Sequence, residues 1–562
     1  MRIHFGHLRE DIQICFSNWS LNNGLECQQN HIQLYSKESL SLQTPFRYAE
    51  DIHSSVGSEA SIVLMKRWIS DCSTFHEHVS PIRNLAPTRL IKLGSHEDER
   101  SRLYSPKHPV VFAALSYRWG SGKQSETTKD NVTERYQELE TSDFPKTLQD
   151  AIYITQRLGL EYVWIDRVCI IQDDKEDWAN EASLMADIYA SAHVVLSATA
   201  TEDCRDGFLQ KRTKPLLIQY AQNGRDSQEV YARRIQNHSC RRDLPVTDYT
   251  LFNRGWCMQE RFLARRIIHF LPDEILFECQ AGRECECGAA SDEGDPEIVE
   301  PGGYIEFGIL QAAKSMKVRD FTINWTNIVE RYSRMKLTYR EDSLPALSGL
   351  AAYVQHLNPG KYIAGLWEKD IGFQLGWYIY PTRNLTRRWE DPKNIDILGP
   401  TFSWSSHVLG PVRWSNDENM RSLCTLENFN IELATSNLYG QVRSATLCLS
   451  GWSVSGYDMI ARLKTSATIG LSEEYVCFDS SIHFRFSQSF PNYARIEELE
   501  NTISWETIMC FGLYEGRTQG VGALLLQPSE TGLGKYVRIG LVSGLYKSWF
   551  HETAGASTIT LA

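Results

Sequence analysis

Between Pro109 and about Cys279 the apolar residues switch between a near-continuous run and a helical period, and the switching predicts strands and helices in turn. Val110-Val111-Phe112-Ala113-Ala114-Leu115-Ser116-Tyr117 is almost unbroken in apolarity, the pattern of a strand covered on both faces in a parallel sheet. It ends in Trp119-Gly120-Ser121-Gly122-Lys123, a turn. From Pro145 onward Leu148, Ala151, Ile152, Thr155 and Leu158 recur at helical spacing, with Gly159 placed to end the helix. Tyr162-Val163-Trp164-Ile165 reads as a second buried strand. A helix with Asp177 at its N-cap runs to about Ala190, and His193-Val194-Val195-Leu196 supplies a third strand. Strand, helix, strand, helix, strand predicts an α/β unit with a parallel sheet and right-handed crossovers. The loops after Tyr117 and Ile165 then fall at the carboxyl edge, where open α/β sheets bind ligands.

The flanks differ. Residues 1–107 are polar and mixed, with a short helical stretch at Ser61 to Ile69 and an extended one at Thr88 to Leu93, and are expected to form a helical N-terminal extension. Residues 108–283 hold the α/β unit, and 284–303 are acidic and rich in Gly and Pro, as in a linker or loop. Residues 304–562 open with a helical pattern from Phe321 to Tyr339. Aromatic strands such as Ala445–Leu449 and Val537–Val542 follow between Gly and Ser turns, so this region is expected to be mixed and mostly β.

Composition narrows the function. The 562 residues include 15 Trp, 25 Tyr and 22 Phe, enough to fill more than one core. A net charge of -12 offers no general attraction to a phosphate backbone, so no nucleic-acid role is expected. The 14 Cys are dispersed, and the charged start MRIHFGHLREDIQICF is no secretory segment; both point to reduced thiols and a cytoplasmic location. Apolar runs such as Val110 to Leu115 are far shorter than the roughly 20 residues that span a bilayer, so no integral membrane segment is expected.

One carboxylate stands out. On the helix after Asp177, the residues Trp178, Ala182, Met185, Ile188 and Tyr189 share a face, and Glu181 falls inside that arc. A buried ionised carboxylate without partners costs several kcal/mol or has its pKa forced up, so Glu181 is either a site residue or a paired structural group. Glu260, in Arg254-Gly255-Trp256-Cys257-Met258-Gln259-Glu260-Arg261, poses the same choice between a second site carboxylate and an internal ion-pair partner. Asp166 closes a strand at the carboxyl edge and is suited either to a ribose hydroxyl or to ordering its own loop. Cys169 sits among apolar neighbours and reads as a small core residue. The Gly120–Lys123 turn fails the phosphate-loop spacing, with Gln124 where Ser or Thr is required. Cys279, Cys285 and Cys287 near His269 hint at zinc, but a single C-x-C with no second pair does not specify a site, so no metal is expected.

Four blocks occur in one order: Leu115-Ser116-Tyr117-Arg118-Trp119-Gly120; Tyr162-Val163-Trp164-Ile165-Asp166 with Cys169-Ile170 and Gln172-Asp173-Asp174; Glu181 with Met185, Ile188 and Tyr189; and Arg254-Gly255-Trp256 with Gln259-Glu260. Together they closely resemble the fungal heterokaryon-incompatibility (HET) domain, over about residues 108 to 275. Pro87-Thr88-Arg89-Leu90-Ile91 resembles the family's lead-in. Tyr332-Ser333, Leu337-Thr338, Asp342, Ala346-Leu347-Ser348-Gly349, Ala364-Gly365-Leu366-Trp367 and Phe402-Ser403-Trp404-Ser405-Ser406 resemble its downstream region. No nucleotide-binding module or WD repeat is attached, as in an unfused member.

The resemblance implies a TIR-like α/β fold and a part in incompatibility and programmed cell death. Enzymatic TIR relatives cleave NAD at the nicotinamide–ribose bond with a helix Glu, a role that Glu181 matches in position. It also implies NAD as substrate rather than bound cofactor, with Ser116, Tyr117, Arg118, Trp119, Asp166 and Trp178 as binding residues and Glu181 and Glu260 as catalytic ones. The rival expectation is a non-enzymatic, oligomerising cell-death module, and a third is an orphan that keeps the fold without the function. Self-association and an incompatibility partner protein are the implied contacts. Arg167, where relatives carry a small residue, and Arg118, where they carry Cys or an apolar residue, either bind phosphate or close the pocket.

Overall fold

The apolar runs of the central segment become the middle strands of an eight-stranded mixed sheet. The computed structural model describes residues 2–8, 11–17, 30–37, 47–49, 51–78, 86–94, 100–120, 125–220, 228–235, 249–288, 316–379, 399–406, 411–415, 420–469, 475–479, 483–485, 505–516, 520–530 and 534–562. The chain divides into two compact units, one of residues 1–252 and 260–304, the other of 253–259 and 305–562.

In the first unit, helix α1 (Glu59–Phe75) precedes strands β1 (Leu90–Lys92), β2 (Arg102–Tyr104) and β3 (Ala113–Ser116). Helix α2 (Lys146–Leu158), β4 (Tyr162–Trp164), helix α3 (Lys175–Ser191) and β5 (Val194–Ser197) follow. The unit resumes at Glu260, in the last turn of helix α4 (Gly255–Phe262), and β6 (Arg266–Phe270), β7 (Ile275–Cys279) and β8 (Arg283–Cys285) follow. The sheet order is β8-β7-β6-β5-β3-β4-β1-β2. Strands β4, β3, β5 and β6 are mutually parallel, whereas β7, β8, β1 and β2 pair antiparallel.

The expected parallel sheet is thus the centre of a wider mixed one. All four residues of β3 and of β5 are buried, as the unbroken apolar runs require when both faces are covered. Burying each such Val or Leu contributes roughly 1.5–3 kcal/mol. Helix α2 presents Leu148, Ala151, Ile152 and Thr155 inward and ends at Gly159, whose φ of 86° is the left-handed cap that a Cβ would strain. Helix α3 starts earlier than the sequence suggests. Its N-cap is Asp174, which accepts from the amides of Glu176 and Asp177 at 3.0 and 3.3 Å, and this leaves the Asp177 carboxylate free for another partner.

The N-terminal residues are not only helical: besides α1 they include the strands Arg2–Leu8, Asp11–Ser17 and Asn30–Ser36, which pair antiparallel in turn. The Gly120–Lys123 turn lies outside the described residues from Ser121 on, as do residues 289–315 of and beyond the acidic segment.

In the second unit the helical pattern forms Val318–Tyr332 and stops there, short of Tyr339. The β region contains β9 (Val442–Ser455), β10 (Met509–Glu515), β11 (Val521–Pro528), β12 (Lys535–Leu545) and β13 (Gly555–Leu561). Pairing runs β10-β11-β12-β13-β9 and back to β10, so these strands close on themselves and leave no free edge within the ring. Val454, Cys510, Leu525 and Val542 lie in the core beside this ring, together with Phe550.

Candidate functional site

The carboxyl ends of the parallel strands carry the polar groups. Ser116, the last residue of β3, donates from Oγ to Glu260 Oε2 at 2.5 Å, and both are buried. Three residues on, Trp119 donates from Nε1 to Asp166 Oδ2 at 2.7 Å, while Asp166 Oδ1 accepts the Arg167 amide at 2.6 Å. The Arg167 guanidinium donates to the Trp119 carbonyl at 3.0 Å and lies 4.7 Å from the indole centre, at 1% exposure. Asp166 and Arg167 therefore clamp the loop after β3. Gly120 completes it with a φ of 70°, and a Cβ there would stand 2.3 Å from Asp203 Oδ2.

Glu181 sits deeper, at 1% exposure. Arg89, just ahead of β1, donates from Nη2 to both Asp177 oxygens at 2.7 and 2.6 Å and from Nε to the Cys169 carbonyl at 2.6 Å. The same Nη2 is 3.5 Å from Glu181 Oε1. Glu181 Oε2 has no hydrogen-bond partner among the described residues. Burial raises the Glu181 pKa, and the Thr88 hydrogen bond and Arg89 offset that only in part. One guanidinium thus serves two carboxylates, one of them sealed from water.

Below the β5 and β6 ends lies a second buried network. Thr199 Oγ1 meets His269 Nδ1 at 3.2 Å, His269 Nε2 meets Glu278 Oε2 at 2.9 Å, and Arg261 grips Glu278 with two bonds of 3.0 Å. Arg283 adds a contact at 3.0 Å. Burial alone would raise the Glu278 pKa, but Arg261 and Arg283 hold it well below the carboxylate range. Burial pushes His269 down, toward the neutral imidazole.

The model of the family described as Heterokaryon incompatibility protein (HET) matches residues 112–260. Residues 112–260 are a HET domain. Over 95 residues the chain is 36% identical to heterokaryon incompatibility protein 6, OR allele, of Neurospora crassa, a stretch covering 16% of this chain and 14% of that relative. The match thus spans about a seventh of the curated relative's length. No solved structure matches the chain.

Within the HET domain the structure joins Ser116 to Glu260 and Trp119 to Asp166, and Arg89, which precedes the domain, pairs with its Asp177 and Glu181. Two expectations are corrected. Trp178 is 38% exposed and does not share the buried face of Met185, Ile188 and Tyr189, because it lies in the first turn of α3, where Asp177 reaches inward to Arg89 instead. Tyr117, implied as a binding residue, is buried instead of open to a ligand, and burial raises its hydroxyl pKa. Arg118 is half-buried, and Arg167 closes over the loop instead of facing solvent. The zinc hint separates: His269 serves Glu278, Cys285 and Cys287 lie together with Sγ atoms 3.1 Å apart, and Cys279 turns elsewhere.

Sequence reading missed Arg89 as a hub. Pro87-Thr88-Arg89 was visible as a motif, but its partner Asp177 is 88 residues away. It also missed how Arg254-Gly255-Trp256 meets the downstream motifs. In the second unit, Trp256 Nε1 donates to Asp342 Oδ2 at 3.0 Å, and Gly255 is so close to Leu337 that a Cβ would come within 2.6 Å of it.

Burial raises the Asp342 pKa to about 6 from 3.8, against the lowering effect of Trp256. A raised acid favours the folded chain below 3.8, and that contribution is lost as pH rises toward 6. Asp342→Asn keeps an acceptor for Trp256 without the charge. It should therefore stabilise the protein by about 2–3 kcal/mol at pH 7.5, with the advantage gone near pH 4. Thermal melts of both proteins across that range check this; an equal or larger advantage at pH 4 would contradict it.

Proposed function

We propose that this protein acts in heterokaryon incompatibility, in fungal self/non-self recognition leading to programmed cell death, with the HET domain as its effector part. The HET match over residues 112–260 carries this reading. In this reading the domain is a TIR-like module that signals through self-association in the cytoplasm and through contact with an incompatibility partner. Its acidic groups are engaged internally: Glu260 by Ser116, Asp166 by Trp119, and Glu181 behind Arg89. Such a network fixes the loops at the sheet edge as a surface for partners. The described cysteines are free thiols, as suits a reducing compartment, and no helix among the described residues is long and apolar enough to cross a membrane.

A second reading, NAD hydrolysis at the nicotinamide–ribose bond, is favoured by one observation: Glu181 Oε2 is buried without a partner and its pKa is raised. In that reading the carboxylate stabilises positive charge on the ribose as nicotinamide leaves, water adds to the ribose carbon, and its proton is released. Substrate access then requires Arg89 to withdraw from Glu181 when the protein assembles. Glu181→Gln separates the readings. If the variant folds, assembles and still kills cells, with cellular NAD unchanged for both forms, signalling stands. If the wild type depletes NAD and the variant loses both depletion and killing, hydrolysis replaces it.

A further inference from the structure

Four side chains that local spacing does not connect converge beside the central sheet. Cys72 and His76 lie one turn apart on the same face of α1. The helix stops at His76, whose amide still bonds the Cys72 carbonyl at 3.1 Å, and two residues of extended chain bring His78 back to the same place. Cys279, the last residue of β7, arrives from 203 residues further along. Cys72 Sγ is 3.4 Å from His78 Nε2, Cys279 Sγ is 3.3 Å from His76 Nδ1, and all four donor atoms lie within 4.8 Å of one another. Around a tetrahedral zinc ion with Zn–N and Zn–S bonds of about 2.0–2.3 Å, donor atoms are separated by about 3.3–3.8 Å.

We propose that Cys72, His76, His78 and Cys279 bind one zinc ion as a closed structural site. Two thiolates and two imidazoles suit a borderline-soft ion, neutralise its charge and leave no coordination position open for catalysis. The Ala281 amide donates to Cys279 Sγ at 3.4 Å, the kind of outer hydrogen bond that steadies a metal thiolate. Both thiols are buried and both imidazoles half-exposed, so the ligands are fixed by the core while the ion has a path from solvent. A metal-free packing explains these contacts less well, because thiols are weak hydrogen-bonding groups and have little power to draw two imidazoles together.

The site also has a consequence for the fold. Three ligands precede the HET residues 112–260 and the fourth follows them, so the ion would clasp the two flanks of the domain. It would reinforce the packing of α1 on β7 at Trp68 and Phe277, whose ring centres are 6.0 Å apart. The neighbouring trio Glu274, Cys285 and Cys287 supplies one ligand fewer, and its Glu274 carboxylate already accepts the Cys287 amide.

The full chain, purified with zinc and without chelator, should carry one equivalent of zinc by elemental mass spectrometry. Replacement by cobalt should give the visible d–d and sulfur-to-metal bands of a tetrahedral thiolate site. His78→Ala, at a half-exposed ligand whose loss spares the core, should remain folded and bind zinc more than about tenfold more weakly. Cys279→Ser should hold none. A strong chelator should lower the melting temperature of the wild type and leave that of the zinc-free Cys279→Ser unmoved. A cooperatively folding wild type with no more zinc than Cys279→Ser, or one isolated with a Cys72–Cys279 disulfide and no metal, would overturn the assignment.

Discussion

Glu278→Ala should destabilise the first unit by about 3–5 kcal/mol, the size expected when one member of a buried ion cluster is removed and its partners stay behind. Glu278 is sealed from solvent and is the common acceptor for Arg261, Arg283 and His269. Arg283 keeps about a fifth of its side chain exposed and can turn to water, whereas Arg261 is nearly buried, so most of the penalty comes from Arg261. Glu278→Gln retains acceptor capacity without the charge and should fall between the wild type and Ala. Urea unfolding followed by tryptophan fluorescence measures both. A change below about 1 kcal/mol for the Ala variant, the range of exposed pairs, would mean that the cluster is solvated rather than buried.

The second large effect is expected at Arg538 in the other unit. Its guanidinium donates to Asp479 at 2.9 Å, to the Leu375 carbonyl at 2.6 Å and to the Trp377 carbonyl, and lies 3.3 Å from the Trp377 ring centre. Burial lowers its pKa, yet these acceptors hold it as a cation inside the unit. Arg538→Ala withdraws the buried guanidinium from the Asp479 carboxylate and two carbonyls, again at a cost of about 3–5 kcal/mol. Arg538→Met restores volume but not the donors, so it should recover little by itself. Pairing it with Asp479→Leu removes the stranded charge and should return part of the lost stability, a non-additivity that a double-mutant cycle reads directly. Additive losses in that cycle would contradict the assignment of Asp479 as the group that Arg538 satisfies.

The local sequence determined the parts whose cause is local. The run Phe112 to Leu115 had to be a strand covered on both faces, because no amphipathic period breaks its apolarity; Gly159 had to end a helix, because it supplies a left-handed cap at little steric cost. The ordered motifs also marked the HET domain that the family model matches over residues 112–260. Tertiary structure alone decided the partnerships. Arg89 reaches Asp177 and Glu181, Ser116 finds Glu260, and Cys279 meets Cys72, His76 and His78, because strand order and the course of the chain bring those positions together, and neither is encoded in a period of 2 or 3.6 residues. The same holds for Trp178, apolar yet partly exposed in the first turn of its helix, and for the β strands of the second unit, whose alternation specified strands but not a ring that closes.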